Sequence, residues 1–386
     1  MKLKEIITEK ITNSPLQKIT FAEYMNLVLY HPKYGYYNSD TVNIGTKGDF
    51  FTSSSLSSDF GDLLSVQWVE MWEILGKPAN FQLVEIGAGE GFLANDILTY
   101  LATQNPDFLA CLEYIIIEQS PRLITKQKTC LQKWIDQGIK ISWLDWSKIN
   151  DNSIVGCIFS NELIDAFPVH KLIKKESKIQ EIYVTIDSQG NFQEVSGEIS
   201  TPKINEYLDL VGINLLDSAY DEGYQTEVNL TALDWLKQVS IKLKQGYLLT
   251  IDYGYPAYKY YHPQRSQGTL QCYFKHRYHS NPYLNLGEQD LTTHVNFTGL
   301  EIQGKLLGLE NIGFTKQALF LMNLGLGDKL TQLSSGKYSL TEIMNRRDYL
   351  HQLINPEGLG GFGVLLQSKG LTSQQKETKI KGFKDF

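Results

Sequence analysis

The chain is short of cysteine, and the four it has, Cys111, Cys130, Cys157 and Cys272, are scattered without a C-x-x-C pair. That pattern fits a reducing compartment and offers no metal site. Cys111 and Cys157 sit in apolar runs and read as small buried hydrophobes. Long hydrophobic runs are missing as well, so no segment is expected to insert into a membrane. Met1 to Lys10 mixes both charges and lacks the apolar core of a signal peptide. Positive charge is scarce: 36 Lys and Arg against 43 Asp and Glu give a net charge of −7. Such a balance argues against nucleic acid as a general partner and leaves basic protein surfaces open. The expectation is a soluble, cytoplasmic protein.

What the chain does have is a bulk large enough for a sizeable core, with 386 residues of ordinary globular composition. Its most informative stretch is Leu83-Val-Glu-Ile-Gly-Ala-Gly-Glu-Gly91. A short apolar strand ends in an acid, Glu85, and then in three alternating glycines. Phe92, Leu93, Ile97, Leu98 and Leu101 follow at helical spacing. Glycine lets a ligand approach bare backbone, and the helix N-terminus beyond offers unpaired N–H groups. A dinucleotide fingerprint would place its third glycine where Phe92 stands. Gly87, Gly89 and Gly91, with Glu85 at the strand end, suit S-adenosylmethionine (SAM) better, since SAM has no pyrophosphate and carries a sulfonium and an amine. A glycine-rich turn without a ligand is the plain alternative.

From residue 81 onward strands and helices alternate, which predicts an α/β fold around a parallel sheet. Strands are expected at Gln82–Ile86, Glu113–Ile117, Ile139–Trp143, Val155–Ser160 and Tyr247–Ile251, with helices between. Residues 1–60 read as a separate N-terminal helical lobe and lid, and 61–368 as the main domain. Within it lie a small antiparallel β insertion at about 169–200 and a loop-rich insertion at about 255–296. A strand near 315–323 and a last strand at Gly361–Gln367 complete seven. That count, with the last pair as an antiparallel hairpin, describes the Rossmann-like class I methyltransferase sheet. The polar tail, 369–386, is expected to be disordered.

Candidate chemistry gathers at the strand ends. Glu118 closes the second strand, where a carboxylate can bridge two ribose hydroxyls, or simply cap the next helix. Asp145 could accept the adenine amine with Trp146 against the ring, unless Trp143 and Trp146 are both core. The fourth strand runs into Asn161-Glu-Leu-Ile-Asp-Ala-Phe-Pro168. Asn161 there could accept a hydrogen bond from a nucleophilic nitrogen, and Glu162 and Asp165 could hold a guanidinium. A solvated turn is the alternative. Asp49, in a polar-aromatic loop, and His294, four residues after Asp290, are further candidates to take a proton. Asp290 and His294 would share a face if their segment is helical. Lys275-His-Arg-Tyr-His279 is read as packing within its insertion rather than touching RNA or DNA.

The chain resembles the MidA-like methyltransferases, the family of the mitochondrial complex I assembly enzyme that methylates a protein arginine. The resemblance rests on Tyr30-His-Pro-Lys-Tyr-Gly-Tyr-Tyr37, Gly48-Asp-Phe-Phe-Thr-Ser53, the glycine loop, Asn161 to Pro168, Ile251-Asp-Tyr-Gly254 and Gly287-Glu-Gln-Asp-Leu-Thr-Thr-His-Val-Asn-Phe297. It covers nearly the whole chain, and the second and last of these segments are the specific ones. It implies SAM as cofactor and a protein substrate, an arginine on a subunit of a complex I-like NADH or plastoquinone oxidoreductase. It leaves a homodimer open. The rivals are a non-catalytic, SAM-binding assembly chaperone, and a methyltransferase for RNA or a small molecule. A nicotinamide-dependent oxidoreductase is a third, disfavoured by Phe92.

Overall fold

The computed structural model describes residues 2–39, 57–275, 277–335 and 339–384. The chain begins with helix α1 (Lys2–Asn13), strand β1 (Ile19–Thr20) and helix α2 (Phe21–Tyr30). Thr20 and Glu23 form a capping box that starts α2, each satisfying a backbone donor of the other. Helix α3 (Asp59–Ile74) leads into β2 (Phe81–Ile86), α4 (Phe92–Gln104), β3 (Leu112–Ile117), α5 (Pro121–Asp136), β4 (Lys140–Leu144) and β5 (Ile154–Asn161). An antiparallel unit follows, with β6 (His170–Lys175), β7 (Lys178–Ile186), β8 (Phe192–Gly197) and β9 (Gln225–Val228). Helix α6 (Leu230–Lys242) returns the chain to the main sheet at β10 (Leu243–Asp252).

Beyond β10, β11 (Gly254–Tyr255) pairs in parallel with β15 (Val295–Asn296). Strands β12 (Gln271–Phe274), β13 (Arg277–His279) and β14 (Asp290–Thr292) form a small antiparallel sheet. Helix α7 (Phe297–Leu306), β16 (Glu310–Lys316), α8 (Gln317–Asn323), α9 (Leu340–Ile354) and β17 (Gly363–Lys369) complete the main domain.

The main sheet has seven strands in the order β16-β17-β10-β5-β2-β3-β4. Its β4-β3-β2-β5-β10 section is parallel, and β17 pairs antiparallel with both β10 and β16. This is the expected seven-stranded, mostly parallel sheet. Strand order reverses between β2 and β5, and the crevice there is where open α/β sheets hold ligands. Successive residues alternate between the faces. Leu83, Tyr114, Phe159 and Leu249 pack beneath α3 and α4, while Val84, Ile115, Ile158 and Leu248 pack against α6 and α7.

Three expectations are corrected. The N-terminal lobe is not separate: β1 pairs with β7, and Leu3, Ile7, Phe21 and Tyr24 share one core with Val169, Val184, Cys272 and Leu291. Lobe and insertions thus form a single second layer. Residues 317–323 are helix rather than strand, since Phe320 and Leu321 turn inward while Leu319 and Met322 stay exposed. Ala, Leu and Met in that run favour the helix. The polar tail is folded over its described residues, 369–384. A capping box at Thr372 and Gln375 starts the helix Ser373–Glu377. Ile380 is buried, and Phe383 packs on Phe320 with ring centroids 5.4 Å apart. Few apolar residues were needed, because they land on a groove made elsewhere. Ile380→Ala is therefore expected to cost about 2–4 kcal/mol, visible as a lower thermal midpoint. A disordered tail would show no change.

Candidate functional site

Three positive-φ glycines shape the loop after β2: Gly87 at 72°, Gly89 at 53° and Gly91 at 88°. At Gly89 a Cβ would meet nothing, so the left-handed backbone is what demands glycine there, and the space above it is open. Gly87 N–H donates to the carbonyl of Ile117 at 3.0 Å, tying the loop to β3. Gln127 braces it from α5, donating to Gly89 O at 2.9 Å and accepting from Trp143 Nε1 at 2.9 Å. A Cβ on Gly91 would lie 3.2 Å from the Gln127 backbone, so this third glycine serves helix packing rather than the ligand.

Above the loop lies a cavity of about 940 Å³, within the range of cofactor sites. Glu85, Gly87, Gly89, Glu118, Trp146 and Asn161 line it together, brought from four strand ends. Glu85 is buried and accepts from the Tyr114 hydroxyl at 2.7 Å. Burial pushes its carboxyl up to about 7, against the pull of the Tyr114 hydrogen bond and with a push from Glu118. Glu118 accepts from the N–H groups of Gln119 and Ser120 at 2.8 and 2.9 Å, so capping and cavity-lining coexist in one carboxylate. Asp145 is a correction: it is exposed on the turn Trp146–Lys148, accepting from Ser147 N and facing Lys148, outside the cavity. Its side chain caps its own turn, as aspartate does locally. Of the two tryptophans, Trp143 braces Gln127 and Trp146 reaches the cavity.

The acid-rimmed edge follows β5. Glu162 has φ of 53°, unusual for a residue with a Cβ, and its N–H donates to Ile251 O at 2.9 Å. Asn161 Nδ2 donates to Glu162 Oε1 at 3.1 Å, and the buried Asn161 Oδ1 has no partner among the described residues. Asp165 Oδ2 accepts from the Tyr253 hydroxyl at 2.7 Å, and its buried Oδ1 likewise has no partner among the described residues. Asp252, fully buried at the end of β10, accepts from the N–H groups of Leu163, Ile164 and Asp165 at 3.2, 2.9 and 3.3 Å. Burial, then the charges of Asp165 and Glu162, raise its pKa. Beyond Glu162 a second cavity of about 1070 Å³ opens. Glu162 is the one described residue that lines both cavities.

His294 lines the second cavity, stacked on Tyr255 at 5.0 Å and 10°. Burial pushes its pKa down to about 4, helped by Arg265 and Lys316, so it is neutral near pH 7. Its pairing with Asp290 on a helical face is corrected. Asp290–Thr292 is a strand, and Asp290 is buried where the Tyr37 hydroxyl donates to both its oxygens at 3.1 and 3.2 Å. Asp49 lies outside the described residues. Tyr30, Tyr37, Gln127, Asp252 and Tyr253 were not singled out as site residues. Tyr30 donates to Ala166 O at 2.9 Å, and Tyr37 O accepts from Ser120 Oγ at 3.0 Å, so both roof the cavity. Their signal was the tyrosine density of Tyr30 to Tyr37.

The pocket fits SAM: open backbone at Gly89, and the acids Glu85 and Glu118 where a cation would rest. A cation beside Glu85 favours its ionised form, and below pH 7 the free protein must first lose a proton there. SAM affinity is expected to rise with pH by up to roughly tenfold per unit below about 7. It should then level off. Calorimetry on Glu85→Gln should give a flat profile; an unchanged slope would mean another group is responsible.

Comparison with known proteins gives the arrangement a family. A family model described as "Putative S-adenosyl-L-methionine-dependent methyltransferase" matches residues 63–315. A "likely methyl transferase" from Burkholderia thailandensis, crystallised with S-adenosyl-homocysteine, superposes with a TM-score of 0.86 at 30% identity, covering 98% of this chain and 95% of that one. The human mitochondrial protein arginine methyltransferase NDUFAF7 is 29% identical over 95% of this chain and 84% of its own length. Its Drosophila melanogaster homolog is 29% identical over 89% and 79%. SAM is the cofactor, and the chain belongs to this family of S-adenosyl-L-methionine-dependent methyltransferases.

Proposed function

We propose that the chain methylates an arginine nitrogen of a protein, on a subunit of a complex I-like NADH or plastoquinone oxidoreductase during its assembly. The observation that carries this reading is the pair of buried, unpartnered acceptors, Asn161 Oδ1 and Asp165 Oδ1, flanking Glu162 at the junction of two cavities. A guanidinium stays protonated and brings several N–H donors in one plane, which this set of acceptors matches. The names of the mitochondrial relatives support the acceptor and the assembly role.

Bound SAM supplies an electrophilic methyl group. The chain's own part is alignment, since such a transfer depends chiefly on near-attack geometry. Asn161 Oδ1 and Asp165 Oδ1 accept from the guanidinium and fix its plane. Tyr253 holds Asp165 by its other oxygen, and Asp252 holds the backbone beneath. Glu162 is placed to receive the proton that the guanidinium sheds. Keeping a glutamate at positive φ costs about 1–2 kcal/mol, a local strain of the sort that persists where a side chain must point one way.

Tritiated SAM with lysate from a strain lacking the protein, followed by hydrolysis, tests the acceptor: label should appear as methylarginine. Asp165→Asn is expected to lower kcat/KM about 10- to 100-fold. Burial pushes the Asp165 carboxyl up to about 6, so transfer should decline as pH falls through 6 and the carboxylate is lost. Glu162→Gly relieves the backbone and should hold or raise the thermal midpoint while transfer fails. A Glu162→Gly protein that still methylates would favour a role for this loop in stability alone.

A further inference from the structure

The second cavity is built differently from the first. Its lining is rich in aromatics, Tyr253, Tyr255, Tyr273 and Phe362, and carries the acids Glu162 and Asp165 together with Lys259 and Lys316. The glycine loop takes no part in it. Tyr255 is held rigidly, with His294 stacked on it and the Arg265 guanidinium 4.6 Å from its ring centre. Tyr258 and Leu319 line it too and are its solvent-facing apolar groups, 67% and 47% exposed.

We propose that this second cavity seats the acceptor: an arginine side chain, carried on a protein segment that crosses Tyr258 and Leu319. The inference rests on the arginine reading above. Donor and acceptor must approach a transferred group from opposite sides. Two cavities that share Glu162 alone among the described residues provide separate entries of that kind. The aliphatic stem of arginine suits aromatic walls, and its cationic head suits ring faces and then carboxylates. Asp165 is 7% exposed and lines this cavity, and its Oδ1 has no partner among the described residues. The competing route is the far end of the first cavity, between α2 and α6, marked by Asn26 and Gln238.

The test compares Leu319→Arg and Tyr258→Ala with Gln238→Arg, all in the full chain. Two quantities are measured: S-adenosylhomocysteine affinity by calorimetry, and tritium transfer from SAM into lysate protein, counted as methylarginine. The expected result is at least about a tenfold loss of transfer in the first two variants. S-adenosylhomocysteine affinity should be unchanged in those two, and transfer by Gln238→Arg, compared at equal cofactor saturation, should match wild type. Loss in Gln238→Arg with normal transfer in Leu319→Arg would overturn the route while leaving the arginine reading intact. Label on another residue type with the expected variant pattern would overturn the arginine reading and keep the cavity. No protein label from wild type that still binds S-adenosylhomocysteine would overturn both.

Discussion

The acid-rimmed edge of the sheet depends on one buried acid. Asp252 ends the central strand β10 and accepts from three consecutive backbone N–H groups, those of Leu163, Ile164 and Asp165. These donors sit in a tight turn that no sheet hydrogen bond reaches, so without an acceptor they would be orphaned in the interior. The carboxylate satisfies them and in doing so fixes the direction in which Glu162 and Asp165 leave the sheet. Tyr253, the next residue along, then holds Asp165 by its hydroxyl. One strand thus supplies both the anchor for the turn and the orientation of its acid.

The second constraint is the joint between layers. The sheet provides a floor of glycines and strand-end acids. The roof comes from α2 and the tyrosines after it, which belong to the same core as the β insertion and the sheet of β12 to β14. Tyr30 reaches the Ala166 carbonyl, Ser120 reaches the Tyr37 carbonyl, and Thr293 N–H donates to Asp165 O at 2.8 Å. All these contacts land on segments that also line one of the two cavities or adjoin them. Position and enclosure of the site therefore come from residues far apart in the chain.

That separation explains what could be read from the sequence and what could not. The glycine loop, Glu85 and Glu118 are legible because strand, turn and helix follow one another within a few residues. Asn161 and Glu162 are legible by position, as the end of the strand beside that loop. Asp145 was misread because a strand-end acid looks the same whether it faces a ligand or caps its own turn. Asp290 and His294 have helical spacing, but pairing with β12 makes the segment a strand and sends the two side chains to different places. The run at 317–323 is apolar enough for either structure, and only its two-sided burial decides for helix. In the tail, Ile380 and Phe383 gain their meaning from Phe320, about sixty residues earlier. Asp252 could not be ranked above any other acid, since its partners lie about ninety positions away.

The roof is fastened unequally on its two sides. Its hydroxyl bonds across the seam, Tyr30 to Ala166 and Ser120 to Tyr37, are neutral pairs that contribute about 1 kcal/mol each. Bonds of that size part and re-form readily on the microsecond-to-millisecond scale of lid motions. The tyrosine segment is thus tied lightly to the sheet and firmly to the core it shares with the insertions, where Tyr36 is fully buried and Tyr37 holds Asp290.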